Sequence, residues 1–102
     1  MIHPSIQFDR AALQALCRKY GIRELCVFGS ATRDDFRPES DVDVLVEYEP
    51  GREPDFLIYP MLREDLRVLF RRDIDLIEGR HTLVNPFRRH VILGSLERLY
   101  AA

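Results

Sequence analysis

The stretch "FGSATRDDFRPESDVDVLVE", Phe28 to Glu47, places a Gly-Ser pair after one apolar run and an Asp-x-Asp at the head of another. Just upstream, "IRELCVFG" (Ile22 to Gly29) alternates, with Ile22, Glu24, Cys26 and Phe28 on one side and Arg23, Leu25 and Val27 on the other. That period of two predicts a strand ending at Gly29. A short helical turn begins at Ser30, and "RPES" breaks the chain. "DVDVLVEYE" then sets Val42, Val44 and Val46 on one face of a second strand.

Outward from this unit the chain is mixed. Asp9 caps a helix, Asp9 to Tyr20, that carries Leu13, Leu16, Cys17 and Tyr20 at helical spacing, and Gly21 closes it. Pro50 to Asp55 is a turn-rich surface loop. Leu62, Leu66, Leu69 and Phe70 form the stripe of a second helix, which starts near Pro60 because proline cannot donate a backbone hydrogen bond. "DIDLIE", Asp73 to Glu78, is a third strand. Asn85-Pro86 opens a final helix carrying Phe87, Val91, Ile92, Leu96, Leu99 and Tyr100, slightly weakened by Gly94. The order predicts an α+β (mixed α/β) fold with a three- or four-stranded sheet flanked by helices, as one domain over residues 1–102.

Composition narrows the function. The 102 residues suit one core, burying somewhat more than roughly 60% of the unfolded surface. Fifteen basic against seventeen acidic residues, net −2, argue against a broad electrostatic grip on nucleic acid. All the basic residues but Lys19 are arginine, which reads as a compositional preference, and the Arg pairs at 71–72 and 88–89 read as solvated helix ends. Cys17 and Cys26 lie in apolar segments without metal-ligand spacing, as buried reduced thiols do. "MIHPSIQFDR" has no basic region leading into a long apolar one, and no window approaches 18 apolar residues. A cytoplasmic protein without a membrane segment is expected. His3, His81 and His90 show no ligand-like grouping and read as surface or packing residues.

The carboxylates carry the chemistry. Asp41 and Asp43 lie two apart on a strand, so they share a face at a Cα separation of about 7 Å. At an effective dielectric near 20 they repel by roughly 2 kcal/mol, and something positive belongs between them. A hard divalent cation such as Mg²⁺ would fit, taking a few carboxylates and leaving sites for water or phosphate. The plainer reading is a solvated strand start with Asp41 capping the preceding turn. A calcium loop is excluded, because Leu45 and Val46 stand where it needs an oxygen ligand and a glycine. Asp73 and Asp75 repeat the pattern on the third strand. If that strand pairs beside the second, Asp75 completes a three-carboxylate cluster able to hold two cations and orient a hydroxyl. Gly29 permits close backbone approach, and the amides that follow, with the Ser30 hydroxyl, can meet phosphate oxygens.

Gly29-Ser30, ten intervening residues and Asp41-x-Asp43 together resemble the signature of polymerase-β-type nucleotidyltransferases. "GSATRDDFRPESDVDVLVE" is especially similar to the minimal nucleotidyltransferase (MNT) antitoxins. "RRDIDLIE", with Asp75 as third carboxylate, and "LVNPFRRHVILGSLERLY" extend the likeness over most of the chain. Thr32 departs from the alanine of many relatives and leaves the acidic residues intact. The resemblance implies a type VII toxin-antitoxin antitoxin that transfers AMP from ATP to a tyrosine hydroxyl of a HEPN-family ribonuclease toxin. By position, Gly29, Ser30 and Arg33 would contact the triphosphate, Asp41 and Asp43 would bind Mg²⁺ (two ions), and Asp75 would ligate metal or help deprotonate the acceptor. Two alternatives stay open: neutralisation by binding and occlusion alone, and nucleotidyl transfer to a small molecule or an RNA end.

Overall fold

Four strands form one mixed sheet in the order β3-β2-β1-β4. They are β1 (Ile22–Phe28), β2 (Val42–Tyr48), β3 (Ile74–Glu78) and β4 (Glu97–Ala101). β1 runs antiparallel to β2 and β4, and β2 runs parallel to β3. With the helices α1 (Arg10–Tyr20), α2 (Ile58–Phe70) and α3 (Pro86–Leu93), this makes the expected α+β fold. The computed structural model describes residues 2–34, 36–37, 39–52 and 56–102. Asp35, Pro38 of "RPES", and Glu53, Pro54 and Asp55 of the expected loop lie outside the described residues.

The alternation along the strands divides the apolar residues between two layers. Val42, Val44 and Val46 of β2 join Leu25 and Val27 of β1 and Leu13, Cys17, Leu62 and Leu66 of α1 and α2 in the larger core. The opposite face is smaller: Phe28, Leu45 and Ile77 pack against Leu83 and Ile92, so α3 covers it. Each fully buried leucine or valine contributes about 2 kcal/mol through water exclusion, so the larger layer dominates stability. One strand residue departs from simple alternation. Ile22 lies in the larger core with Leu25 and Val27, rather than beside Cys26 and Phe28. A register shift between Ile22 and Glu24 against β2 inserts a bulge, and the extra residue turns Ile22 to the other face.

Helix termini follow local chemistry. Asp9 Oδ1 accepts from the backbone N–H groups of Ala11 at 2.9 Å and Ala12 at 3.3 Å, a cap that contributes about 1 kcal/mol. Gly21 takes the left-handed conformation (φ 69°) that closes α1. α2 starts at Ile58, two residues before Pro60. The proline thus falls in the first turn, where its missing N–H would have had no partner within the helix. Asn85 Oδ1 accepts from Arg88 N–H at 3.0 Å, and Pro86 begins α3.

The chain after α3 corrects the sequence reading. The helix ends at Leu93 instead of running on through Leu96, Leu99 and Tyr100, and Glu97–Ala101 returns as β4. Without it the outer edge of β1 would present unpaired N–H and C=O groups beside a buried apolar layer. β4 satisfies them, with Tyr100 opposite Leu25 and Glu97 opposite Val27, and lays Leu99 and Tyr100 against the larger core.

Both cysteines are buried and free. Burial pushes Cys17 up to about 12 and Cys26 up to about 11, so neither is a thiolate near neutral pH. Among the described residues no helix is long and apolar enough to cross a membrane.

Candidate active site

Asp43 sits at the centre of the sheet, with Phe28 opposite it on β1 and Asp75 opposite it on β3. Residues directly opposite share a face, so the two carboxylates project together from the side that α3 covers, where Leu45 and Ile77 follow them two positions on. Asp43 is half-buried and Asp75 exposed. Asp41 lies exposed just before β2, outside the strand.

The Asp43 carboxyl is pushed up to about 6. Burial is the largest cause, and the negative charges of Asp75 and then Asp41 add to it, while Arg33 and Arg88 pull the other way. Crowded carboxylates are treated differently at the far end of the same face. There Glu24 and Glu47 both bind the guanidinium of Arg80, at 2.8 and 2.7 Å. Among the described residues neither Asp43 nor Asp75 makes such an ion pair, so the carboxylates are bonded to a cation at one end of the face and not at the other.

Gly29 closes the site from the β1 side. Its φ of 68° lies where side chains are disfavoured, and a Cβ there would collide with Asp43 Oδ2. The chain then winds through a 3-10 turn, Gly29–Thr32, in which the Thr32 hydroxyl donates to the Gly29 carbonyl at 2.8 Å. The Gly29 N–H donates to Ser95 Oγ at 3.2 Å, and that hydroxyl donates to the Ile92 carbonyl at 3.2 Å. The turn is thereby tied to the end of α3. Ser30 is half-buried in the turn beside Gly29, and Ala31 after it is fully buried.

These elements enclose an open cavity of about 360 Å³. Gly29, Arg33, Asp43, Asp75, Arg88 and Ser95 line its polar part, and Phe28, Phe87, Val91 and Ile92 its apolar part. Of the residues singled out from the sequence, the fold brings Gly29, Arg33, Asp43 and Asp75 together here, while Asp41 and Ser30 stand outside the lining. Arg88, Ser95, Phe87 and Val91 are contributions that sequence reading missed. For Arg88 the signal was the register of a short helix on which it falls four residues before the buried Ile92. A larger cleft of about 700 Å³ between residues 5–9 and the end of α2 gathers no such chemistry, since its carboxylate, Asp9, is engaged in capping α1.

Residues 10–99 match the family model of the nucleotidyltransferase domain. The chain belongs to that family. The nucleotidyltransferase is 39% identical over 62 residues, 61% of each chain, to the protein adenylyltransferase MntA of Thermococcus cleftensis. Its fold is that of two solved antitoxin complexes. One is a toxin-antitoxin with AMP-PNP (TM-score 0.67, 16% identity, 92% of this chain and 74% of that one). The other is a tri-AMPylated Shewanella oneidensis HEPN toxin in complex with MNT antitoxin (TM-score 0.62, 17% identity, 91% and 70%).

The donor set of this nucleotidyltransferase suits a hard cation. Two carboxylates stand together without an ion pair among the described residues, and a third, Asp41, is close enough to raise Asp43. Among the described residues no three ligand-type side chains are drawn into a finished cage, so the fit rests on the Asp43–Asp75 pair.

Proposed function

We propose that this chain is the antitoxin of a toxin-antitoxin pair and neutralises a HEPN-type toxin by transferring AMP from ATP to a tyrosine hydroxyl of it. The observation that carries the reading is the placement of Asp43 and Asp75 side by side, facing the Gly29 turn, with no arginine paired to either among the described residues. The names of the similar proteins support the class of reaction and the kind of partner.

In this reading Gly29 and Ser30 hold the triphosphate, with Arg33 as a further phosphate contact. Asp41, Asp43 and Asp75 would hold Mg²⁺, which when bound supplies neutralisation of phosphate charge and a lowered barrier to ionising the acceptor hydroxyl. Asp75, the more exposed of the adjacent pair, receives the acceptor proton or shares in metal binding. Nucleotidyl transfer of this kind mainly needs positioning and charge balance, and no covalent enzyme intermediate. The exposed apolar side chains that line the cavity, Phe87 and Val91, give a protein acceptor a surface to approach.

That same apolar surface favours a second reading, in which binding alone neutralises the partner. The two separate with ATP labelled at the α-phosphate. Catalysis transfers the label to the toxin, and Asp43→Asn abolishes both transfer and neutralisation. Under occlusion Asp43→Asn still neutralises. Label transfer that survives loss of both Asp41 and Asp43 overturns the catalytic assignment.

A further inference from the structure

The two arginines that open α3 have different fates. Arg89 turns back to its own side of the fold, where its guanidinium donates to the Arg80 carbonyl at 2.7 Å. Arg88 faces the site: it lines the same cavity as Asp43, Asp75 and Gly29. Helical geometry accounts for this, because Arg88 lies one turn before Ile92 on α3, and Ile92 is buried against the sheet; just past the helix end, Ser95 meets the Gly29 N–H. Its backbone is pinned by the Asn85 cap, so the side chain leaves from a fixed point. Among the described residues its guanidinium forms no hydrogen bond or ion pair, although two carboxylates line the same cavity.

A cation held near acidic groups without being paired to them is placed for an anion that arrives later. We infer that Arg88 is a nucleotide-binding residue of this chain, its guanidinium engaging the polyphosphate of the bound nucleoside triphosphate from the α3 side of the cavity. This rests on the nucleotidyltransferase reading of the site. Arginine suits the task because its planar fork can give two parallel hydrogen bonds to phosphate oxygens and keeps its charge at all relevant pH values. The Gly29 turn and Arg88 then hold the phosphates from two walls that the Ser95 hydrogen bond already ties together.

The test is a set of titrations of the intact chain with ATP and with adenosine in Mg²⁺ buffer, followed by amide NMR shifts. It compares wild type, Arg88→Ala, Arg88→Lys and the remote control Arg18→Ala, which makes the same change in net charge. Arg88→Ala is expected to weaken ATP about ten- to hundredfold, the usual loss for a charged hydrogen-bonding partner. It should leave adenosine within about threefold of wild type, on the standing scatter of surface substitutions. Arg88→Lys should fall between, and Arg18→Ala should match wild type. Equal losses for ATP and adenosine would mean that Arg88 only supports packing, and no loss of ATP affinity would mean that it only offsets the carboxylates. Either outcome overturns the inference. A wild-type chain that binds no ATP would instead overturn the nucleotide reading itself.

Discussion

Gly29 and Asp43 compete for one small volume: a methyl group on Gly29 would occupy the space of Asp43 Oδ2. Alanine at 29 therefore meets two penalties of different kinds. Its left-handed backbone conformation costs about 1–2 kcal/mol for a side-chain-bearing residue. The Asp43 carboxylate, the free end of a side chain, must also swing away. Gly29→Ala should lower unfolding free energy by about 1–2 kcal/mol in urea melts, yet cut transfer activity by about a hundredfold or more, the typical cost of a displaced reacting group. Activity that falls only as far as the folded fraction falls would show that the glycine serves the backbone alone.

Asp43 also sets a pH dependence. Its carboxyl is raised from 3.8 to about 6 in the folded chain, so the folded state binds this proton more tightly than the unfolded state does. Stability is therefore lost as pH rises from about 4 to about 6, and above about pH 6 the folded protein bears the full cost of the charge. A shift of this size corresponds to at most about 3 kcal/mol, and solvent screening at a half-buried group brings it to about 1–2 kcal/mol. In metal-free buffer Asp43→Asn should stabilise the chain by that amount at pH 7.5 and by nearly nothing at pH 4. Added Mg²⁺ should raise the wild-type melting temperature and leave the variant where it was. Equal stabilities of the two proteins at pH 7.5 would contradict this.

At the opposite end of the same face the logic reverses. Arg80 bridges Glu24 and Glu47, whose side chains are only 19% and 16% exposed. Arg80→Met would leave Glu47 without its cation and Glu24 with only the longer ion pair to Arg98, at 3.8 Å. It should cost about 2–3 kcal/mol in chemical unfolding, below the full figure for a wholly buried pair because Arg80 itself is partly solvated. ATP affinity should be unchanged, since none of the three residues lines the cavity. A change in ATP affinity at constant stability would show the two ends to be coupled.

The contrast between these ends marks the limit of sequence reading. Three strands and the capped first helix were legible because their signals are local: alternation, a capping carboxylate, apolar runs short enough to be strands. The Asp43–Asp75 neighbourhood was legible only as a condition, that the third strand pair beside the second, and that pairing is met. β4 was not legible. Leu96, Leu99 and Tyr100 lie at helical spacing after Ile92, and the need that converts them to a strand belongs to the far-off edge of β1. That Arg88, exposed as expected, also lines the cavity was hidden for a similar reason: its place beside Asp43 and Asp75 depends on the sheet beneath the helix. The bulge that turns Ile22 inward also depends on pairing with β2, which no local pattern records.

In the proposed reaction the adenylyl group goes to a tyrosine of the toxin, and mass spectrometry of a HEPN-type partner follows it there. After incubation with this chain, ATP and Mg²⁺, the partner is predicted to gain the mass of a whole number of AMP groups, localised to tyrosine, and to lose its ribonuclease activity. With the Asp43→Asn chain it should gain none and stay active. A partner silenced by the wild-type chain with its mass unchanged would mean that the chain neutralises by binding and not by adenylyl transfer.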